Sequence, residues 1–127
     1  MVEIRQMNPS EIQTVKKLIE QYGFQFFDNA ITHVVNDKGS VIAASQLAVE
    51  ETQAQILSIV VGENFRKMGF GDGLLKMQIN YCYKNNIPII RVKKGMEDGF
   101  FKRVGFIEDG DWLILDVQAF YLNLRCK

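Results

Sequence analysis

The feature that most constrains this chain is an apolar, β-branched run, Ile56-Leu-Ser-Ile-Val-Val61, that feeds a glycine-punctuated turn and then an apolar helical repeat. A run of that composition reads as a buried strand. It continues through Gly62-Glu-Asn-Phe65 into Arg66-Lys-Met-Gly-Phe-Gly-Asp-Gly-Leu-Leu75. A strand that delivers the chain to a Gly-rich helix N-terminus builds an anion site. The first amides of the helix have no intrahelical partner, and the helix dipole places partial positive charge there. Gly69 and Gly71 lack Cβ, so a phosphate can approach the backbone closely. The chemistry expected of the stretch is the binding of a pyrophosphate.

Two common phosphate motifs do not fit. No Gly-x-x-x-x-Gly-Lys-Ser/Thr string occurs, and the glycines Gly69, Gly71 and Gly73 alternate where a dinucleotide fingerprint needs Gly-x-Gly-x-x-Gly. Arg-x-x-Gly-x-Gly does fit, as Arg66, Gly69 and Gly71, and a second stretch follows in Phe100-Phe-Lys-Arg-Val-Gly-Phe106. In this order the two resemble the acetyl-CoA loop and the Tyr-x-Lys-x-Gly-Phe helix end of the GNAT N-acetyltransferase superfamily. The resemblance covers roughly residues 31–118. It implies acetyl-CoA as co-substrate and no metal. By the same resemblance the backbone amides of Lys67, Met68, Gly69, Phe70, Gly71 and Asp72 would wrap the CoA pyrophosphate, with Arg66 as a phosphate partner. Ile59, Val60 and Val61 would line the pantetheine arm, and a backbone N–H near Val60 or Val61 would polarise the thioester carbonyl. The plain alternative for the loop is an ordinary strand–loop–helix connection with glycines at the cap.

The remaining periodicities give the order of elements. Residues 2–6 alternate as a first strand. Asn8-Pro-Ser10 is a helix start with Ser10 as candidate cap; Ile12, Val15, Leu18, Ile19 and Tyr22 share one face, and Gly23 stops the helix. Phe24, Phe26 and Phe27 are expected to pack on the sheet. Residues 31–35 and 41–49 read as a hairpin around Asn36-Asp-Lys-Gly39, and 53–61 as the next strand. Leu74, Leu75, Gln78, Ile79 and Cys82 form one helical stripe that ends at Asn85-Asn86, and Ile87–Val92 is a strand with Pro88 near its start. A short helix near 96–103 and strands near 105–108 and 112–117 follow, then a terminal helical turn or tail over 119–125. This is a mixed α/β (α+β) order. The resemblance makes it the acyl-CoA N-acyltransferase fold: a mostly antiparallel central sheet with flanking helices, shortened by one helix near the N-terminus, because residues 23–30 are too few for a second. Because that region commonly forms part of the acceptor wall in the family, the resemblance implies an acceptor site that is open or completed by another subunit, hence a possible homodimer.

Composition narrows the class of partner. A chain of 127 residues, 47% hydrophobic and 24% charged, is expected to form a single domain over 1–127 with a real core. Lys+Arg and Asp+Glu are both 15, which gives no field for nucleic acid. No apolar run reaches membrane length, and Met1-Val-Glu-Ile-Arg5 has no signal-peptide pattern. Cys82 and Cys126 lack metal or redox spacing. The expectation is a cytoplasmic protein, with neither nucleic acid nor membrane as partner, acting on a small-molecule or peptide amine.

Acetyl transfer to an amine needs a bound thioester, an oxyanion partner and a route for the amine proton. The catalytic side chains stay unknown at this stage, and the chain departs from the family where they would stand. Phe101 replaces the Tyr that protonates the leaving thiolate, so water would have to do so, and Phe101→Tyr should then raise a slow turnover. Gln55 falls where histone-acetylating members place a Glu base, and Lys94 where an Asn is common. His33, the single histidine, has the intrinsic pKa of a base, although a lone His in a strand is more often structural. Glu50 and Glu51 end a strand and read as solvated; Glu97 and Asp98 read as helix caps. Ser58 faces either the thioester or the sheet interior. Cys82 reads as core, and Tyr81 and Tyr83 as packing or surface. Without those side chains the same fold would serve as a non-catalytic acyl-CoA-binding module, or as a domain cooperating with a larger enzyme.

Overall fold

The computed structural model describes residues 2–125. The elements are β1 (Val2–Gln6), α1 (Ile12–Gln21), β2 (Ile31–Asp37), β3 (Ser40–Val49), β4 (Gln53–Val61), α2 (Phe70–Lys84), β5 (Ile89–Lys93), α3 (Asp98–Val104), β6 (Ile107–Asp109), β7 (Trp112–Asp116) and α4 (Val117–Arg125). The strands form a seven-stranded sheet in the order β1-β2-β3-β4-β5-β7-β6. Pairs β1–β2, β2–β3, β5–β7 and β6–β7 are antiparallel, and β4–β5 is parallel. Between α1 and β2 there is no helix, so the fold is the shortened form expected. Among the described residues no helix is long and apolar enough to cross a membrane. Cys126 lies outside the described residues.

The described residues group into two compact units: those up to Ala48 with Leu57–Gln78, and Val49–Ile56 with those from Ile79 onward. In the first, the helical stripe is as expected: Val15 and Ile19 of α1 are buried with Val34, Ala44 and Val60, and Leu18, Tyr22, Phe24 and Phe26 pack around them. The opposite side of the sheet buries Val35, Ile42, Ala43 and Leu74 with Ile59, Val61, Phe65 and Phe70 partly covered. Phe27 departs from expectation, being 38% exposed. The buried Gln46 amide bonds both backbone groups of Phe27, at 2.9 Å each, and holds the connection by its main chain instead. Ser10 is not the cap. It sits inside a 3-10 turn, Pro9–Glu11, where the Asn8 amide donates to the Glu11 carboxylate at 2.8 Å, and α1 begins only at Ile12. Glu11 also takes the Arg5 guanidinium at 2.9 and 3.0 Å. Those hydrogen bonds from Arg5, then the Asn8 amide and Asn36, pull its carboxyl down to about 2. The hairpin turns at Lys38 and Gly39, both at positive φ, with the Gly39 amide bonded to Asn36 Oδ1 at 2.9 Å.

In the second unit, strand register puts Ala54, Ile56, Ile90, Val92, Leu113 and Leu115 on one face, and all are buried. Gln55, Arg91, Trp112 and Ile114 share the other face and are half-buried. Phe101 of α3 is 1% exposed and meets Phe100 and Phe106 edge-on, at ring centroid distances of 5.1 and 5.3 Å. Residues 117–125 are a helix and not a tail, and Tyr83 stacks on its Tyr121 at 4.2 Å. Strand β5 begins at Ile89, later than expected, because Pro88 has no N–H to give a ladder; its carbonyl instead accepts the Val117 amide at 2.9 Å. At α3 neither of the expected carboxylates caps a helix amide, although Asp98 lies in the first turn. Asp98 accepts the Gly95 amide at 2.8 Å, while Glu97 makes no side-chain cap bond.

Candidate functional site

The first unit positions the glycine-rich loop. Strand β4 alternates between buried and half-buried residues from Gln53 to Val61. Its register with β5 runs from Gln53 to Ile56. In the first unit Leu57–Val61 is therefore the outer strand, next to β3. An outer strand offers main-chain N–H and C=O groups to an extended, amide-bearing ligand. Val60 is buried under α1, so only its backbone is on offer, whereas Ile59 and Val61 are half-buried on the α2 side.

Past Val61 the chain is held tightly. Gly62 donates to Ile42 C=O at 2.8 Å, and a 3-10 turn, Glu63–Phe65, closes with Phe65 N–H to Gly62 C=O at 2.8 Å. Lys67 then takes φ +65° and Gly69 φ +86°. The first helical bond is Gly73 N–H to Gly69 C=O at 3.0 Å, so the amides of Gly69, Phe70, Gly71 and Asp72 precede the ladder and have no intrahelical acceptor. A Cβ on Gly69 would meet no protein atom within 4 Å, which leaves its φ as the structural reason for glycine. Gly73 has a different reason: a Cβ there would stand 2.7 Å from Ile4 Cδ1, so this glycine lets β1 approach α2. Asp72 pairs with Lys76 one turn on, at 2.8 Å, and Met68 is exposed.

Arg66 is steered by a residue the sequence did not mark. Its Nε donates to Val61 C=O at 3.3 Å, and its guanidinium carbon lies 5.2 Å from the centroid of the Tyr22 ring. The Tyr22 hydroxyl in turn accepts the Glu63 amide at 2.9 Å. Tyr22, at the end of α1, thus ties both sides of the 3-10 turn. Only tertiary proximity reveals this; in the sequence Tyr22 is one more apolar-face residue of α1.

The candidate acid–base groups are mostly structural. His33 is 2% exposed on β2, opposite Ser45, and burial pulls its pKa down to about 4. It is neutral at physiological pH and shielded from solvent. Ser58 resolves to the sheet interior, fully buried. Cys82 is buried too, and desolvation raises its thiol to about 11. Glu50 and Glu51 are exposed. In the second unit Lys94 bridges to Glu108 at 3.2 Å, and Lys102 pairs with the same carboxylate. Phe101 offers almost no surface to a ligand. Gln55 stands beside Arg91 in the parallel ladder, and the Arg91 guanidinium lies 3.9 Å from the Trp112 ring centroid. Among the described residues no cluster of His, Cys, Asp or Glu could hold a metal ion.

The mixed sheet with flanking helices is that of the acyl-CoA N-acyltransferases. The chain matches the acetyltransferase (GNAT) family over residues 1–106 and belongs to it. No curated protein matches the chain. Among solved structures it is similar to the ribosomal-protein-S18-alanine N-acetyltransferase from Escherichia coli, at 14% identity and a TM-score of 0.75, covering 90% of this chain and 91% of that one. It is similar to Ard1 from Thermoplasma volcanium, at 21% identity and a TM-score of 0.73, over 91% and 97% of the two chains. The N-acetylglutamate synthase from Neisseria gonorrhoeae, solved with coenzyme A and N-acetyl-glutamate, matches at 18% identity and a TM-score of 0.79; 92% of this chain covers 35% of that one. At such identities the likeness is one of fold.

Proposed function

We propose that the chain is an acetyl-CoA-dependent N-acetyltransferase that moves an acetyl group to the amine of a small molecule or peptide. The single observation that carries this reading is the loop in which Lys67 and Gly69 turn at positive φ and deliver the unladdered amides of Gly69–Asp72 at the start of α2. Amides of residues 67–72 grip the pyrophosphate, with Arg66 as its partner. The outer edge of β4, at Ile59–Val61, carries the pantetheine through backbone bonds, and an N–H near Val60 or Val61 stabilises the oxyanion. The amine nitrogen attacks the thioester carbon, the tetrahedral intermediate collapses with loss of the C–S bond, and water takes the amine proton and protonates the thiolate. Support for the water route comes from this chain's own groups: His33 is buried and neutral, Phe101 has no hydroxyl, and Gln55 is not a base at neutral pH.

The same absence of an acid and a base favours a second reading, a non-catalytic acyl-CoA-binding module. Incubation with acetyl-CoA and an amine panel, with free thiol followed over time, separates the two. Turnover well above the protein-free blank is expected; binding without turnover selects the module. Under either reading CoA raises the melting temperature, since ligand at ~100 times its Kd adds about 2.7 kcal/mol. No shift at millimolar CoA removes the basis of both.

A further inference from the structure

Among the described residues Arg91 is a cation without an ion-pair partner. Its Nε is buried and has no hydrogen-bond partner among the described residues, and the ion pairs found there do not include it. One flat side of the guanidinium is occupied by the Trp112 ring at 3.9 Å. Stacking fixes the plane of the fork and lowers its hydration, but it satisfies none of its N–H groups. A half-buried fork held in this way is arranged for a planar oxyanion.

Its neighbours narrow the ligand. Register places Gln55 beside Arg91 on β4, and Ile114 beside it on β7. Lys93, opposite Trp112, is exposed, and Asp109 on the far side of Trp112 is exposed as well. Asp116 caps α4 through the Ala119 amide at 3.0 Å. Lys93 and Asp109 offset one another, and Asp116 keeps its charge beyond Ile114, so this face has no net positive field and Arg91 stands beside a neutral amide. That balance suits a single carboxylate better than a phosphate dianion.

Resting on the acetyltransferase reading, in which Gln55 stands where histone-acetylating members of the family place a Glu base, we propose that Arg91, stacked on Trp112, binds the carboxylate of the acceptor, so that the substrate is an amine carrying a carboxylate. Arg91 is then a specificity-determining residue, and Gln55 lies where the amine end of the same molecule would come.

Trp112 is the single tryptophan, so its fluorescence reports directly on the stack. The test titrates the full chain with N-acetylglycine, with N-acetylglycinamide and with inorganic phosphate. A saturable change in emission is expected with the acid, at a concentration about 10- to 100-fold below that needed for the amide, the span for losing a charged hydrogen-bond pair. Arg91→Gln should abolish the preference, and Arg91→Lys, which keeps the charge without the fork, should weaken it, with circular dichroism as the fold control. Equal response to acid and amide overturns the proposal, as do native-strength binding by the Lys variant and tighter binding of phosphate. The readout needs neither CoA nor turnover. Lack of acetyl transfer would therefore count against the enzyme alone, and carboxylate-blind binding against the Arg91 site alone.

Discussion

Gly69 separates the two roles a loop glycine can have, because its surroundings remove the usual confusion between clash and function. A side chain at this position meets no protein atom within 4 Å, so the only structural cost is backbone strain at φ +86°. For an L-residue in that region the strain is about 1–2 kcal/mol. Gly69→Ala should sit near the lower figure and Gly69→Val near the upper, and both variants should fold. The effect on the ligand is larger. The open space above Gly69 is where the reading puts a pyrophosphate oxygen, and a hydrogen bond to a charged group is worth about 1.5–3 kcal/mol. One lost amide contact therefore predicts roughly 10- to 100-fold weaker CoA binding. Calorimetric titration with CoA and with pantetheine, which has no pyrophosphate, makes the comparison, with thermal melting for stability. The variants should lose affinity for CoA and keep it for pantetheine. Unchanged CoA affinity in a folded Gly69→Val, or an equal loss for both ligands, refutes the assignment of this loop to the pyrophosphate.

The other consequences are simpler to state. Tyr22→Phe keeps the ring under Arg66 and deletes the acceptor of the Glu63 amide, while Tyr22→Leu deletes both; at about 0.5–1.5 kcal/mol for the hydrogen bond and ~0.5–1 for the cation–π contact, CoA affinity should fall in the order native, Phe, Leu. Leu and Phe variants with native affinity would leave Tyr22 a packing residue only. Acid should destabilise the protein through two groups of the same sign. His33 resists protonation when folded, so stability is lost as pH falls from about 6.5 toward about 4, and Glu11, held near 2 by Arg5, adds a further loss below its ordinary carboxylate range. Denaturant titrations over this range should show the upper part of the slope vanish in His33→Gln; persistence of that slope assigns it to another group.

What the sequence disclosed follows a physical line. Elements driven by burial of a repeating face were legible: the α1 stripe, the alternation of β4 and the α2 stripe of Leu74, Leu75, Ile79 and Cys82 all lie where periodicity puts them. The geometry of the loop was legible because a glycine at positive φ and a helix N-terminus are both local. Misplacements came from local competition. Asn8 and Glu11 outbid Ser10 by closing a reciprocal pair, and Pro88 moved the start of β5. Contacts between residues distant in sequence were invisible: Tyr22 with Arg66, Gln46 with Phe27, and Arg91 with Trp112 each need the strands and helices already packed. The side chain proposed to set specificity, Arg91, belongs to this last class, so the family was readable from one chain while the acceptor was not.

Phe101 tests whether the family's acid position survives here as mechanism or as core. From the sequence, Phe101→Tyr would restore the hydroxyl and speed the loss of thiolate, with general acid help worth about 10²–10⁴-fold. The structure argues for the other outcome. The ring is 1% exposed and packs edge-on against Phe100 and Phe106. An added hydroxyl enters that aromatic cluster, where an unpartnered polar group costs about 1–3 kcal/mol. A CoA thiol has a pKa near that of cysteine, ~8.5, so under the proposed mechanism water suffices to protonate the leaving thiolate without a side-chain acid. Phe101→Tyr is therefore expected to lower stability by about 1–3 kcal/mol and to leave kcat within a few-fold of native. Denaturant unfolding and steady-state rates with the best amine of the panel measure the two together. A hundredfold rise in kcat with stability unchanged would mean that the new hydroxyl reaches the sulfur, and that the α3 aromatic cluster yields to a ligand where its burial says it does not.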